Sequence, residues 1–194
     1  MRTAVITRET KETQITLELN LDGSGSCDIS TGIGFFDHML TAFTVHGGFD
    51  LKLRCDGDLQ VDTHHTVEDV GIVLGQAVKA ALTSSDEPVT RFGSARIPMD
   101  ESLGWCDLDI SSRPYLVFDS ELTSEKIGDL ETQAIKEFMQ AVAFNAGITL
   151  HIGIERGDND HHKTEVMFKA LAYALKKAVC VNKQNKIMST KGVL

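Results

Sequence analysis

The sequence predicts an α+β fold made of two similar halves, a duplicated half-domain in which four helices pack between two mixed β-sheets. A five-residue motif occurs twice, half a chain apart, as residues 64–68 (His-His-Thr-Val-Glu) and 161–165 (His-His-Lys-Thr-Glu). Alternating strand-like runs precede each copy, and an apolar helical stretch follows it. Repetition at a fixed offset indicates a repeated structural unit, and helices that cover one face of each sheet bury it most simply.

The strands are predicted from alternating apolar and polar residues, broken by Gly and Pro turns. These runs lie within residues 3–8, 14–21, 49–55, 93–119 and 148–155. A helix from about Phe36 is expected to end at Gly47-Gly48, because glycine readily adopts the left-handed conformation that terminates helices. A helix over residues 130–146 matches it in the second half and ends before Gly147.

Each copy of the repeated motif is expected to begin a helix. The first begins near His64, with Asp62 or Thr63 as its cap, and the second begins after Asp160. Aligning the helix-ending Gly48 with Gly147 extends the repeat upstream. It places His38 opposite Glu137.

Length and composition predict one catalytic domain over residues 1–194, with internal halves of approximately 1–90 and 91–194. A hydrophobic content of 42% argues against disorder. No apolar run reaches the ~20 residues of a membrane helix, and residues 1–12 show no secretory signal. A net charge of −9 disfavours nucleic acid as a partner. The four dispersed cysteines indicate a reducing compartment, so we expect a cytoplasmic protein without a membrane partner.

Helical geometry determines what the repeated motif can bind. Successive residues lie about 100° apart around a helix, so the first His and the Glu four positions later share one face and can bind one ion. The second His points about 100° away, towards a different ion. Two copies related by pseudo-symmetry satisfy this requirement reciprocally, because each gives a His/Glu pair to one ion and a single His to the other.

This crossed arrangement predicts two sets of metal ligands, with a fourth ligand in each from the matched pair of upstream residues. The first set is His38, His65, His161 and Glu165, and the second is His64, Glu68, Glu137 and His162. Imidazole and carboxylate without thiolate suit Mn, Fe, Zn or Co. Four protein ligands leave positions open for a substrate. The acids nearby in sequence that could accept hydrogen bonds from the remaining ring nitrogens are Asp37, Asp62, Asp69 and Asp160.

At these motifs the sequence resembles the imidazoleglycerol-phosphate dehydratase family over nearly the whole chain. The most specific segments are residues 31–40 (Thr-Gly-Ile-Gly-Phe-Phe-Asp-His-Met-Leu), 62–69, 160–165 and 189–193. The resemblance implies a ribosomal protein S5 domain 2-like fold and two Mn²⁺ ions per active site. It also implies a homo-oligomer of 24 subunits, with active sites at subunit interfaces and ligands from neighbouring chains. Many family members carry His where this chain has Glu137, and Glu is an adequate ligand for Mn.

The activity that the resemblance implies is dehydration of D-erythro-imidazoleglycerol phosphate to imidazole-acetol phosphate in histidine biosynthesis. The hypothesis is that the two-metal site binds the substrate ring as imidazolate and so assists loss of the hydroxyl group. Glu12 matches an acidic substrate contact of the family and is the candidate base, and His46 is the candidate for proton transfer to the leaving hydroxyl. The other matching substrate positions, suited to a phosphate, are Arg91, Arg113, Lys169, Ser189, Thr190 and Lys191.

Two other functions are compatible with a His and carboxylate metal pair. A di-metal hydrolase would release phosphate from simple esters. A non-enzymatic scaffold held together by metals would change size on chelation and turn over no imidazole substrate. The Arg and Lys positions favour an enzyme, because a scaffold has no evident use for a phosphate pocket.

Overall fold

The structure is a computed structural model that describes residues 1–182, so Ser189, Thr190 and Lys191 lie outside the described residues. The first half contains the strands β1 (Thr3–Glu9), β2 (Thr13–Asn20), β3 (Cys27–Ser30) and β4 (Asp50–Gly57), and the helices α1 (Gly34–Gly47) and α2 (His64–Thr83). The second half contains the strands β5 (Phe92–Met99), β6 (Ser102–Ile110), β7 (Tyr115–Asp119), β8 (Lys126–Ile127), β9 (Leu130–Glu131) and β10 (Ile148–Arg156), and the helices α3 (Gln133–Ala146) and α4 (Asp160–Ala178).

The two large sheets have the same topology. The first has the strand order β1-β2-β4-β3 and the second β5-β6-β10-β7. In both, the first three strands in this order run antiparallel to their neighbours, and the last strand is parallel to the third. The mixed sheets and the duplicated half-domain are therefore confirmed.

The helices form the layer between the sheets, as predicted. Helix α2 packs on β1, β2 and β4, while α4 packs on β5, β6 and β10. Across the two halves, α2 packs against α3 and α1 against α4. A chain of aromatic contacts joins the halves, since the Phe138 ring lies 5.3 Å from that of Phe36 and 5.2 Å from that of Phe168. All three side chains are fully buried, so one hydrophobic core serves both halves.

The predicted helix boundaries are close to those observed. Gly48 caps the C-terminus of α1 and Gly147 that of α3, and both glycines have φ near +70°, the left-handed conformation expected of a terminating glycine. The prediction that α3 begins at residue 130 was wrong by three residues, because Leu130–Glu131 pairs with β8 in a short hairpin. The short strand β3 was not predicted, since its four residues are almost entirely exposed at a sheet edge and lack an apolar alternation.

Two glycines allow α2 and α3 to approach closely. A Cβ on Gly71 would lie 2.9 Å from the carbonyl oxygen of Phe138, and one on Gly75 would lie 2.8 Å from that of Val142. Backbone atoms cannot move aside as a flexible side chain can. These contacts therefore require glycine, and they fix the distance between the helices that carry residues 64–68 and Glu137.

Gly75→Ala is expected to destabilise the protein by about 1–3 kcal/mol, because the added methyl group overpacks the α2–α3 contact by more than the gain in helix propensity offsets. Urea unfolding at fixed protein concentration measures this difference. Gln76→Ala, on the exposed face of the same helix, is the control and should stay within about 0.5 kcal/mol of wild type. Equal stability of both variants would contradict the close packing.

No helix in residues 1–182 is long and apolar enough to cross a membrane.

Candidate metal centre

Helix α1 begins where the other half of the chain supplies a carboxylate. The backbone amides of Gly34 and Phe35 donate to Asp129, at 2.7 and 3.0 Å. Asp37 in the first turn accepts from the amide and the hydroxyl of Thr31. An anion at the N-terminus satisfies free amides and complements the helix dipole. These contacts fix the start of α1 and so the position of His38 in its second turn.

The first metal cluster joins α1 to the start of α4. His38, His161 and Glu165 each offer one ligand atom, and these atoms all lie within 4.8 Å of one another. The Nε2 atoms of both histidines lie 3.4 Å from the same Glu165 oxygen. Among residues 1–182, this is the only group of three such side chains that is close enough to hold one ion. The pairing of His161 with Glu165 follows from helical phase, as the sequence indicated.

Glu165 is the buried end of this cluster. Its side chain is only 13% exposed, against 52% for His38 and 45% for His161, so the cluster opens outwards on the histidine side. Burial alone would raise the pKa of Glu165, but the hydrogen bond and charge of Lys169, together with His38, outweigh it and lower that pKa. Lys169 Nζ lies 2.6 Å from the second Glu165 oxygen. The carboxylate is therefore held ionised and oriented, as a ligand must be.

In the first copy of the motif, the equivalent residues His64 and Glu68 form only a pair. His64 Nε2 lies 3.6 Å from a Glu68 oxygen, and both side chains are exposed. The His64 amide donates to Asp62 at 2.8 Å, so Asp62 caps α2, whereas the Thr63 side chain makes no capping hydrogen bond. Glu137 is half-buried on α3, the helix packed against α2. Its pseudo-symmetric position matches that of His38 on α1.

The second histidine of each motif turns away from its own Glu and towards a different carboxylate. His65 Nδ1 lies 3.0 Å from Asp58, and the hydrogen bond raises the pKa of the imidazole. His162 Nδ1 lies 2.8 Å from Glu101, which raises the pKa of His162 and holds that of Glu101 at about 2. Neither His65 nor His162 belongs to the three-residue cluster of the described chain. Sequence reasoning missed both Asp58 and Glu101, because they lie in loops outside the repeat.

Glu12, the candidate base, lies beside one of these histidines. Its carboxylate is 3.7 Å from His65 Nε2, and the side chain is about half exposed. The Glu12 carbonyl accepts from the Asp58 amide at 3.0 Å, which ties the β1–β2 turn to the loop before α2. The predicted base and a predicted metal ligand are thus brought together.

The α1–α4 contact continues beyond the cluster towards His46. His46 Nδ1 lies 3.4 Å from the hydroxyl of Tyr173. Burial lowers the pKa of His46, and the positive charge of Lys169 lowers it further. The lowered pKa favours the neutral form of His46, which can accept a proton. Lys169 lies between Glu165 and Tyr173 on α4, so one face of this helix carries a predicted metal ligand and a predicted substrate contact.

The two arginines predicted to contact substrate lie in the second half. Arg91 has a φ of 77° and forms a two-point hydrogen bond with Asp109, at 2.6 and 2.9 Å. Its guanidinium also lies over the Phe92 ring. Arg113 is exposed, and only its backbone is fixed, with its carbonyl accepting from the Thr149 hydroxyl at 2.9 Å.

The four acids considered from the sequence as partners of the ligand histidines have other contacts. Asp37 and Asp62 bind the helix starts described above. Asp69 accepts from Thr13 and pairs with Arg8 at 2.9 Å, joining α2 to the β1–β2 hairpin. Asp160 accepts from the amides of Thr123 and Ser124 and from Lys163. All four therefore position the elements of the site rather than the imidazole rings.

Asp160→Asn is expected to lower the free energy of unfolding by about 3 kcal/mol at pH 7, because it leaves the buried Lys163 ammonium without its counter-ion. Burial alone would raise the pKa of Asp160, but Lys163 and the two amides outweigh it and lower that pKa. A depressed folded-state pKa gives stability that is present above the unfolded pKa of about 4 and is lost as the pH falls below it. The gap between variant and wild type should therefore narrow below pH 4 in urea titrations. Asp158→Asn, at an exposed neighbour, is the control; a gap that is constant with pH would contradict this role.

The chain is similar to known proteins over nearly its whole length. The family model for imidazoleglycerol-phosphate dehydratase matches residues 31–175. The imidazoleglycerol-phosphate dehydratase of Acetivibrio thermocellus is 56% identical over 192 residues, which cover 97% of each chain. The crystal structure of the Staphylococcus aureus enzyme superposes with a TM-score of 0.83 at 39% identity, covering 93% of this chain and 99% of that one. The Pyrococcus furiosus enzyme gives 0.84 at 38% identity, covering 97% and 100%.

The match to the family model covers most of the chain and includes His38 and both copies of the repeated motif. An identity of 56% over nearly the full length of both chains is well above what membership of one family requires. The chain therefore belongs to the imidazoleglycerol-phosphate dehydratase family and is a hydro-lyase of histidine biosynthesis.

Proposed function

We propose that the chain dehydrates D-erythro-imidazoleglycerol phosphate to imidazole-acetol phosphate at a centre of two Mn²⁺ ions. The observation that carries this proposal is the cluster of His38, His161 and Glu165, together with the open His64 and Glu68 pair. A donor set of imidazole and carboxylate without a thiol fits Mn²⁺. The cluster is most exposed at its two histidines, where a further protein ligand and the substrate could approach.

The metal ions, when bound, would supply Lewis-acid stabilisation of negative charge on the substrate ring. The first ion would be held by His38, His161 and Glu165 and completed by His65. The second would be held by His64, Glu68 and Glu137 and completed by His162. Glu165 is ionised through Lys169, which makes it a ligand at neutral pH without a proton to displace.

The completing histidines are proposed to come from neighbouring subunits. The Nε2 atoms of His65 and His162 lie nearest to Glu12 and Asp100 rather than to the Glu of their own motif, and each Nδ1 is held by a carboxylate outside the motif. A histidine that is not used by the cluster of its own helix is available to complete a site on another chain. A homo-oligomer of 24 subunits with active sites at its interfaces is proposed from the family resemblance, and a cytoplasmic location is proposed with it.

The reaction removes a C–H proton and the hydroxyl on the adjacent carbon, and the enol that results tautomerises to the ketone. Glu12 is the proposed base, because its exposed carboxylate lies 3.7 Å from His65 Nε2, beside the proposed metal position. His46, whose pKa is lowered by burial and by the charge of Lys169, is proposed to take up the proton that Glu12 removes and to pass it to the departing hydroxyl, which leaves as water. Released water and ketone then carry all the atoms of the substrate.

The phosphate is proposed to bind through cationic groups, as an anion on an acidic protein requires. Arg113 is exposed and its guanidinium makes no ion pair with the described residues, so it is available to an incoming phosphate. Lys169 already pairs with Glu165, and Arg91 with Asp109, so part of the positive charge of each is neutralised before the phosphate binds. Ser189, Thr190 and Lys191 complete the proposed set and lie outside the described residues.

The test is to incubate the purified protein with imidazoleglycerol phosphate and Mn²⁺, with and without a chelator, and to measure the ketone product. Ketone that forms with Mn²⁺ and disappears with chelator supports the proposal. Phosphate release from the substrate or from simple esters would instead indicate a di-metal hydrolase. A change in size on chelation, without any turnover, would indicate a metal-assembled scaffold.

A further inference from the structure

The Glu101 carboxylate binds the ring of His162 and is itself held by other hydrogen bonds. One carboxylate oxygen lies 2.8 Å from His162 Nδ1. The other accepts from the amide of Asn159 at 3.1 Å, in the turn before α4, and from the hydroxyl of Ser102 at 2.9 Å. The β5–β6 turn thereby fixes both the start of α4 and the orientation of its second histidine.

Asp58 makes the corresponding contact in the other half. Its two oxygens lie 3.0 and 3.2 Å from His65 Nδ1. It stands in the loop between β4 and α2, whereas Glu101 stands in the turn between two strands. The two halves thus reach the same contact from positions that are not equivalent in the repeat, so the contact is not explained by the duplication alone.

These contacts determine which ring nitrogen carries the proton. An ionised carboxylate offers only lone pairs, so the facing Nδ1 must be the N–H in both histidines. In the neutral ring, the lone pair is then on Nε2. The nearest acids to Nε2 are Glu12 at 3.7 Å for His65 and Asp100 at 3.9 Å for His162, both too far for a hydrogen bond.

The first histidine of each motif does not need such a partner. His64 and His161 lie one turn before a Glu on the same helix, and each ring faces that Glu at 3.6 or 3.4 Å. Their orientation is therefore supported by the helix itself. The residue four positions after His65 is Asp69, which is already bound to Thr13 and Arg8, and the one after His162 is the apolar Val166. Neither ring is therefore held by its own helix, and each can rotate unless a residue outside the motif holds it.

We propose that Asp58 and Glu101 are positioning residues that hold His65 and His162 with Nε2 available to complete the two metal sites. This inference rests on the proposed metal centre. A carboxylate on the second ring nitrogen fixes the tautomer and strengthens the imidazole as a ligand, and its loss typically weakens metal binding by about 10–100-fold.

The test measures Mn²⁺ affinity of the full chain by titration, following the electron paramagnetic resonance signal of the free ion. Glu101→Ala and Asp58→Ala should each weaken one of the two binding steps by about 10–100-fold. Glu101→Gln and Asp58→Asn keep an acceptor oxygen and should restore part of that loss. Asp100→Asn and Asp56→Asn remove one negative charge nearby without a hydrogen bond to either ring, and they should bind Mn²⁺ as the wild type does.

A double-mutant comparison separates positioning from a general loss of structure. In a His162→Ala background, Glu101→Ala should weaken Mn²⁺ binding no further, because the ring on which it acts is gone. Additive losses, wild-type affinity in both Ala variants, or equal losses in the control variants would overturn the inference. If the wild type binds Mn²⁺ but forms no ketone, the dehydration fails while the affinity pattern still decides the positioning role. If the wild type binds no Mn²⁺, both fail.

Discussion

Glu12→Gln is expected to lower turnover by about 10²–10⁴-fold while substrate affinity changes little, the range typical of a lost general base. Gln has nearly the same shape as Glu but cannot take a proton at neutral pH. Since Glu12 is about half exposed and forms no close hydrogen bond through its side chain, its replacement should leave the fold intact. Only the step that removes the C–H proton should slow.

Single-turnover measurements of ketone formation, with substrate binding measured separately, distinguish these effects. Glu9→Gln is the matched control, because Glu9 is an exposed acid at the end of the same hairpin and lies on β1. It should retain wild-type turnover. Unchanged turnover in Glu12→Gln would remove Glu12 from the mechanism, and a loss confined to affinity would make it a binding residue.

His65→Ala and Glu165→Ala are expected to abolish high-affinity binding of one of the two Mn²⁺ ions, and with it almost all activity. Glu165→Ala removes the buried ligand of the cluster and leaves Lys169 without its partner at 2.6 Å. His65→Ala removes the ligand proposed to come from a neighbouring subunit. Both should therefore lower metal content from two ions per chain to about one.

Metal analysis of the purified variants checks this expectation. His151→Ala is the control, because His151 is an exposed histidine on β10 outside the proposed ligand set. It should keep full metal content. Full occupancy in both His65→Ala and Glu165→Ala would contradict the crossed arrangement of ligands.

The fold could be predicted from the sequence because the repeated pattern consists largely of buried residues. The alternation on the long strands and the apolar spacing on the helices reflect burial against one shared core. Both patterns can therefore be recognised in short stretches of the sequence. The strand β3 and the hairpin of β8 and β9 have two to four residues each and little buried surface, which leaves no periodic signal. Their pairing depends on contacts with the rest of the molecule.

The candidate site was predictable to the extent that helical phase determined it. The approach of His64 to Glu68, and of His161 to Glu165, follows from a spacing of four residues. The pairing of Glu101 with His162 joins residues 61 positions apart through a loop. No periodic pattern encodes such a contact. Lys169 matched a substrate position, but its ion pair with Glu165 required the geometry of α4.

The most direct measurement of the central claim is the activity of mixed oligomers. His65→Ala subunits retain the cluster of His38, His161 and Glu165, and Glu165→Ala subunits retain His65. If His65 completes the cluster of a neighbouring chain, an intact first metal site needs one subunit of each variant in the right places. Random co-assembly at equal amounts should therefore restore about one quarter of these sites, and a comparable fraction of ketone formation. Mixed oligomers that are confirmed to contain both variants, yet are as inactive as each variant alone, would contradict the claim that the metal centre is shared between subunits.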